Sequence, residues 1–203
     1  MDNQAQEIFG SILAAIGTIL SAVSSIPAQS GRIVDLFKGL DIVGNTLQGV
    51  GNALEANGQS GPSLERLGNE IQAAGNSTVL AGLVLDVKEV TEEKLVITGN
   101  WIQALGGATA LGDEFEDPTA AGQNFNITGN LLQAIGNSLQ AIGGTQNLRE
   151  KKISGSDGSG DQVIFIGSWI QAVGSVLSVI GQIQEEGQEV RASAANDLNN
   201  ENG

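Results

Sequence analysis

A small residue recurs at every seventh position through most of this chain, and it is usually glycine. The pattern is clearest in residues 129–144. Gly129, Asn130, Leu131, Leu132, Gln133, Ala134 and Ile135 form one heptad, and Gly136, Asn137, Ser138, Leu139, Gln140, Ala141 and Ile142 repeat it at once. On a helix at about 100° per residue, with glycine at zero, the third, fourth and seventh positions fall at about 200°, 300° and 240°. The glutamine, asparagine and alanine fall at about 40°, 100° and 140°. Each unit therefore has an apolar arc, and a narrow polar strip made of amides instead of charges. Glycine inside a helix costs about 1 kcal/mol relative to alanine. The expected compensation is close approach, because a residue without Cβ lets a neighbouring backbone come nearer than the usual spacing. A strict heptad also implies a left-handed crossing. A β-solenoid is the weaker reading, since the apolar positions do not alternate.

Taken in order, the heptads mark six segments. Residues 9–26 carry no charge and place Gly10, Gly17 and Ser24 seven apart. That length is at the lower edge for a membrane span, and the serines and threonine suit a buried helix of a soluble bundle. After a break at Pro27, the second segment carries Gly44, Gln48 and Gly51. The turn before Pro62 leads into a third with Gly68, Gln72, Gly75 and Gly82, whose β-branched end is read as helix by its phase. Thr91, followed by Glu92 and Glu93, predicts the N-cap of a fourth helix. That helix carries Gly99, Trp101, Gln103 and Gly106. A fifth helix is expected from Thr119, with Gly129, Gln133, Gly136 and Gly143, and a linker over residues 149–161. The sixth carries Gly167, Trp169, Gln171, Gly174 and Gly181. The acidic tail from Glu185 is expected to fray.

The heptads with Gly, Asn or Ser, Trp, Ile, Gln and Ala at Gly99–Leu105 and Gly167–Val173 carry a resemblance. The chain resembles uncharacterised repetitive proteins of Gram-positive spore-forming bacteria, rich in GNWIQAIG-type repeats. The likeness runs from Phe9 to about Gly181 and departs after Gly75 and Gly106, where the heptads degenerate. That family has no assigned activity or functional residues. The resemblance implies a repeat-built helical architecture and a bacterial origin, and no mechanism.

Few side chains suggest chemistry. The chain has no cysteine, histidine or tyrosine, which removes disulfide frameworks, zinc-finger spacing and imidazole-assisted nucleophiles. A net charge of −14 argues against nucleic acid and against electrostatic attachment to anionic lipid. Trp101 and Trp169 share one heptad position and are expected in the core, in preference to a membrane-interface anchor or stacking platform. Gln48, Gln72, Gln103, Gln133 and Gln171 also share a position, and either hydrogen-bond between helices or form a solvated strip. Asp157 to Asp161 lacks the ligand alternation of a calcium loop and reads as linker. Asp113, Glu114, Glu116 and Asp117 read as a solvated turn, not an acid–base pair. The triplets beginning at Asn76 and Asn126 match the glycosylation pattern but are common by chance.

The expectation is an all-α bundle or layered array of about six antiparallel helices, built from glycine-containing heptads. Residues 1–184 form one domain, with 1–86 and 87–184 as alternative halves, and 185–203 form the tail. The close helix contacts are assigned to Gly10, Gly17, Gly44, Gly51, Gly68, Gly75, Gly99, Gly106, Gly129, Gly136, Gly143, Gly167, Gly174 and Gly181. The function expected is a non-enzymatic structural or interaction protein, with self-assembly into a homo-oligomer open. No catalytic residue, cofactor, metal or nucleic-acid partner is expected. The second reading is a membrane-embedded or membrane-active helical protein, weighed down by the amides on nearly every turn and the missing basic flanks. No standard signal peptide is visible, so the cytoplasm is the default location, with export by another route left open.

Overall fold

The computed structural model describes residues 3–28, 30–59, 61–114, 122–155 and 158–201. Six helices account for nearly all of them: α1 (Asn3–Ser24), α2 (Gly31–Gly58), α3 (Leu64–Val84), α4 (Glu89–Glu114), α5 (Gln123–Ser154) and α6 (Asp161–Glu201). Among the described residues there is no strand. Helix ends follow local chemistry. The Ser63 hydroxyl accepts from the Arg66 amide at 2.9 Å, capping α3 just after Pro62. Gly155 ends α5 in the left-handed conformation at φ 69°, where a side chain would be strained.

Three boundaries differ from expectation. α4 begins at Glu89, two residues before the Thr91 cap. α5 runs on through the basic stretch expected as linker, which places Lys151 and Lys152 in its last turn, where they oppose the helix dipole favourably. α6 continues through the segment expected to fray, to Glu201.

The helices alternate in direction and close into a ring. α1 packs on α2, α2 on α3, α3 on α4, α4 on α5 and α5 on α6, and α6 returns to α1. Packing is tightest within the hairpins α1–α2, α3–α4 and α5–α6, and glycine is the reason. A Cβ on Gly10 would lie 2.7 Å from the Gly51 carbonyl oxygen, and one on Gly51 would lie 2.5 Å from that of Gly10. Gly17 meets Gly44, Gly68 meets Gly106, Gly75 meets Gly99, Gly129 meets Gly174, and Gly136 meets Gly167 in the same reciprocal way. Gly143 abuts Gly160, and Gly181 abuts Asn126 and Gly122. The heptad thus brings paired backbones together inside each hairpin.

Which arc faces inward is the reverse of the sequence expectation. The buried apolar residues described are eight alanines and Val79. The large aliphatic residues lie outside: in the founding heptads Leu131, Ile135 and Ile142 are exposed, while Gly129, Asn130, Gln133, Gly136, Asn137 and Ala141 are buried. Trp101 and Trp169 are outside as well, at 47% and 38% exposure, so their assignment to the core is overturned. The physical reason is ring closure. A closed ring of narrowly spaced helices has an interior only as wide as the glycine, alanine and amide arcs, and it has no room for leucine or tryptophan.

Two glycines separate packing from helix propensity. Gly136→Ala would press a Cβ to 2.6 Å from the Gln171 nitrogen and the Gly167 oxygen, and is expected to lower stability by about 1–3 kcal/mol despite better helix propensity. Gly39→Ala, inside α2 with nothing within 4 Å, is expected to raise it by about 0.5–1 kcal/mol. Equilibrium unfolding followed by circular dichroism checks the opposite signs.

Candidate functional site

The ring encloses an axis lined by amides and hydroxyls. At its centre Gln171, from α6, donates through one nitrogen to two oxygens: Gln48 Oε1 on α2 at 2.9 Å and Gln103 Oε1 on α4 at 3.4 Å. Its own oxygen accepts from Gln140 Nε2 on α5 at 2.8 Å. Four helices are therefore tied by one side-chain network. Gln48, Gln103 and Gln171 are all at least 96% buried, at 3%, 2% and 4% exposure.

Of the five glutamines singled out from sequence, these three come together. Gln72 and Gln133 line a separate space further along the axis, where Gln133 Nε2 donates to Ser178 Oγ at 3.0 Å. Gln140, one heptad after Gln133, is also part of the network, and its recurrence at the glutamine position of the second heptad is the signal that marks it. Gln182 also stands outside the five. It donates to Glu7 Oε2 at 3.2 Å and to Glu186 Oε1 at 3.0 Å, across α1 and α6.

The network divides the lumen unequally. On one side is a cavity of about 240 Å³, to which all six helices contribute. Asp41 is its carboxylate, receiving Asn45 Nδ2 at 2.9 Å, while Gln48 Nε2 donates to Ser21 Oγ at 3.2 Å. This cavity shares Ser24, Ser25, Asp41 and Ile164 with a wider mouth of about 390 Å³, whose rim carries Lys38 and Asp161. On the other side the space narrows to about 20 Å³ among Asn52, Asn69, Gln72, Asn130 and Gln133, with Glu55 and Glu65 beside it. That is about the volume of one water site. The lumen is a funnel, wide at the end where α1 stops and α2 starts, and tight toward the chain termini.

The wide end carries a charged clasp. Lys151 on α5 bonds Glu89 and Glu93 on α4, the second at 2.9 Å. Those two carboxylates push the lysine's pKa up, Glu89 first. Lys38 pairs with Glu92 at 3.5 Å. Asp113, read as part of a solvated turn, instead accepts the Glu65 amide at 2.7 Å, joining α4 to the start of α3. Glu116, Asp117 and Asp157 lie outside the described residues. Among the described residues no group of histidine, aspartate and glutamate is arranged to hold a metal ion.

Fold and lumen together define the class: a closed antiparallel ring of six helices with a polar interior and an apolar exterior. The chain belongs to DUF6944, a family of unknown function, which it matches over residues 5–179. No curated protein and no solved structure matches it.

Lys151→Ala removes both bridges of the clasp. It is expected to destabilise slightly in low salt and to be indistinguishable from wild type near 1 M salt, where screening acts within about 3 Å. Because the folded lysine's pKa lies above its unfolded value of about 10.4, its contribution is full below that pH and lost only above it. Thermal melts of both proteins across salt and pH 6–9 should show the salt effect and no pH effect.

Proposed function

We propose that this chain is a membrane-embedded helical barrel with a polar lumen, and that it has no catalytic role. The observation that carries the reading is the inversion of the helix faces. Large aliphatic or aromatic residues are exposed on all six helices, from Ile12 and Ile16 on α1 to Val173 and Val176 on α6. An ordinary protein interface covers a patch, whereas lipid covers a surface all the way round.

The amides that weighed against lipid in the sequence now support it. Asn45, Gln48, Asn52, Gln72, Asn76, Asn100, Gln103, Asn130, Gln133, Asn137 and Gln171 are all buried, so none faces outward. The hydroxyls that do face outward bond the carbonyl one turn back: Thr46 to Ile42 at 2.8 Å, Ser77 to Ala73 at 2.9 Å and Thr128 to Asn124 at 2.7 Å. Such back-bonding satisfies a polar group without water. Small residues at the hairpin contacts are a habit of membrane helices too.

Length and charge agree. Uncharged runs span residues 95–112 in α4 and 162–184 in α6. At about 1.5 Å per residue they reach about 27 and 34 Å, against a hydrocarbon core of about 30 Å. By length and composition α1 and α6 pass as membrane spans, and among the described residues the other four helices do not. Arg32, Lys38, Lys88, Lys94, Arg149, Lys151 and Lys152 lie toward the wide end, and Arg66 and Arg191 toward the other. That bias orients the wide end to the cytoplasm.

Detergent-free flotation with phosphatidylcholine vesicles tests the reading, beside the variant Ile135→Arg. The wild type is expected to float. An arginine at this outward site near the middle of α5 costs about 2.5–3.5 kcal/mol in lipid, so the variant should float far less. In water the same exposed substitution would be harmless. A wild type that stays at the bottom as a species of defined mass would return the chain to the other reading, a barrel whose outer faces meet further copies of itself.

A further inference from the structure

We infer that the lumen is a cation pathway closed by Gln171, whose amide nitrogen occupies the place a permeating cation would take. The inference rests on the membrane reading and adds what the lumen passes and what shuts it. Gln48 Oε1 and Gln103 Oε1 come from alternate helices of the ring, α2 and α4, and both accept from the one Gln171 nitrogen. If that side chain swings away, two carbonyl oxygens are left facing one gap. Carbonyl oxygens of this kind replace part of the hydration shell of a small cation and offer nothing to an anion.

The spaces on either side carry carboxyl groups. The wide cavity holds Asp41, and the narrow one has Glu55 and Glu65 beside it, with Glu7 bonded to Gln182 close by. Among the described residues neither cavity is lined by lysine or arginine, and Lys38 stands only at the outer mouth. A monovalent cation entering the mouth therefore meets the Asp41 carboxylate, then amide oxygens, then the carboxyl oxygens of the narrow side. Electrostatics inside a lumen with low-dielectric walls amplify that preference.

A second observation concerns the polar groups of the bar itself. Gln103 is 98% buried, at 2% exposure, yet its Nε2 has no bonding partner in the protein. It lines the 240 Å³ cavity, which is large enough for several waters. A buried amide donor left unpaired is costly, and the closed arrangement leaves this one polar group of the bar unsatisfied. One of the two bonds Gln171 donates is long, while its bonds to Gln48 and from Gln140 are of ordinary length, so opening breaks two good hydrogen bonds and one weak one.

The test uses the full chain reconstituted into phosphatidylcholine vesicles loaded with potassium chloride and diluted into sodium chloride, with potassium and chloride read by selective electrodes. Wild-type vesicles are expected to leak potassium slowly. Gln171→Ala removes three hydrogen bonds of the bar and is expected to raise potassium release on the order of tenfold, with chloride retained. Adding Asp41→Asn should lower that release several-fold. Gln171→Ser, too short to fill the gap, leaves both oxygens in place and is read in the same way if Gln171→Ala does not fold. Potassium retained by vesicles carrying helical, co-floating Gln171→Ala or Gln171→Ser would overturn the inference and leave the membrane reading standing. Chloride escaping beside potassium would overturn the cation preference. Failure of the wild type to co-float would instead remove the membrane reading beneath it.

Discussion

Backbone contact between paired glycines is the constraint on which the rest of this structure depends. A Cβ at Gly10, Gly75 or Gly136 would sit within 2.8 Å of atoms on the facing helix. Only glycine allows hairpins this close, and only hairpins this close leave an interior narrow enough for amides to reach across. The Gln171 network is a consequence of that spacing. With axes at ordinary leucine-packed distances, side chains from α2, α4, α5 and α6 would not meet on one axis.

The wheel of the heptad was legible in the sequence, and so was the number of helices. The direction in which each arc points was not. Periodicity divides a helix into two faces without saying which one meets the interior. The usual assumption, that the apolar face turns in, holds when water lies outside. Here the buried side chains are Asn76 and Asn137, at 0% exposure, and the exposed ones include Ile135 and Leu105. Trp101 and Trp169 were misplaced by the same assumption. The glutamine position could be recognised from its recurrence, but not that Gln48, Gln103 and Gln171 converge while Gln72 and Gln133 lie apart. That depends on axial stagger between helices, which loop lengths alone do not fix.

The hydrogen-bond pattern fits a core held by polar contacts more than by burial. Alanine removes little apolar surface from water, and eight alanines with Val79 supply little hydrophobic driving force. What stabilises the interior is a set of amide and hydroxyl bonds, from Gln171 at the centre to Asn126 with Glu185 at 2.9 Å near the narrow end. Bonds of this kind are worth about 0.5–1.5 kcal/mol each when water is the alternative. They specify one arrangement of helices, because a ring slipped by one turn would leave buried amides without partners.

The glycines sharpen the choice of environment. In water a helix competes with a hydrated coil, and each internal glycine costs about 1 kcal/mol in that competition. A chain with glycine or serine at almost every heptad start carries that cost many times over, with few buried aliphatic residues to offset it. In lipid the competing coil is removed, since an unpaired backbone amide in hydrocarbon costs several kcal/mol. Helix formation is then secured by the solvent, and glycine is free to serve contact alone. On the proposed membrane reading, the outward isoleucines and the inward glycines share one explanation. A sequence that is a poor helix former and a poor core former in water is well suited to a barrel whose outer surface is covered by acyl chains.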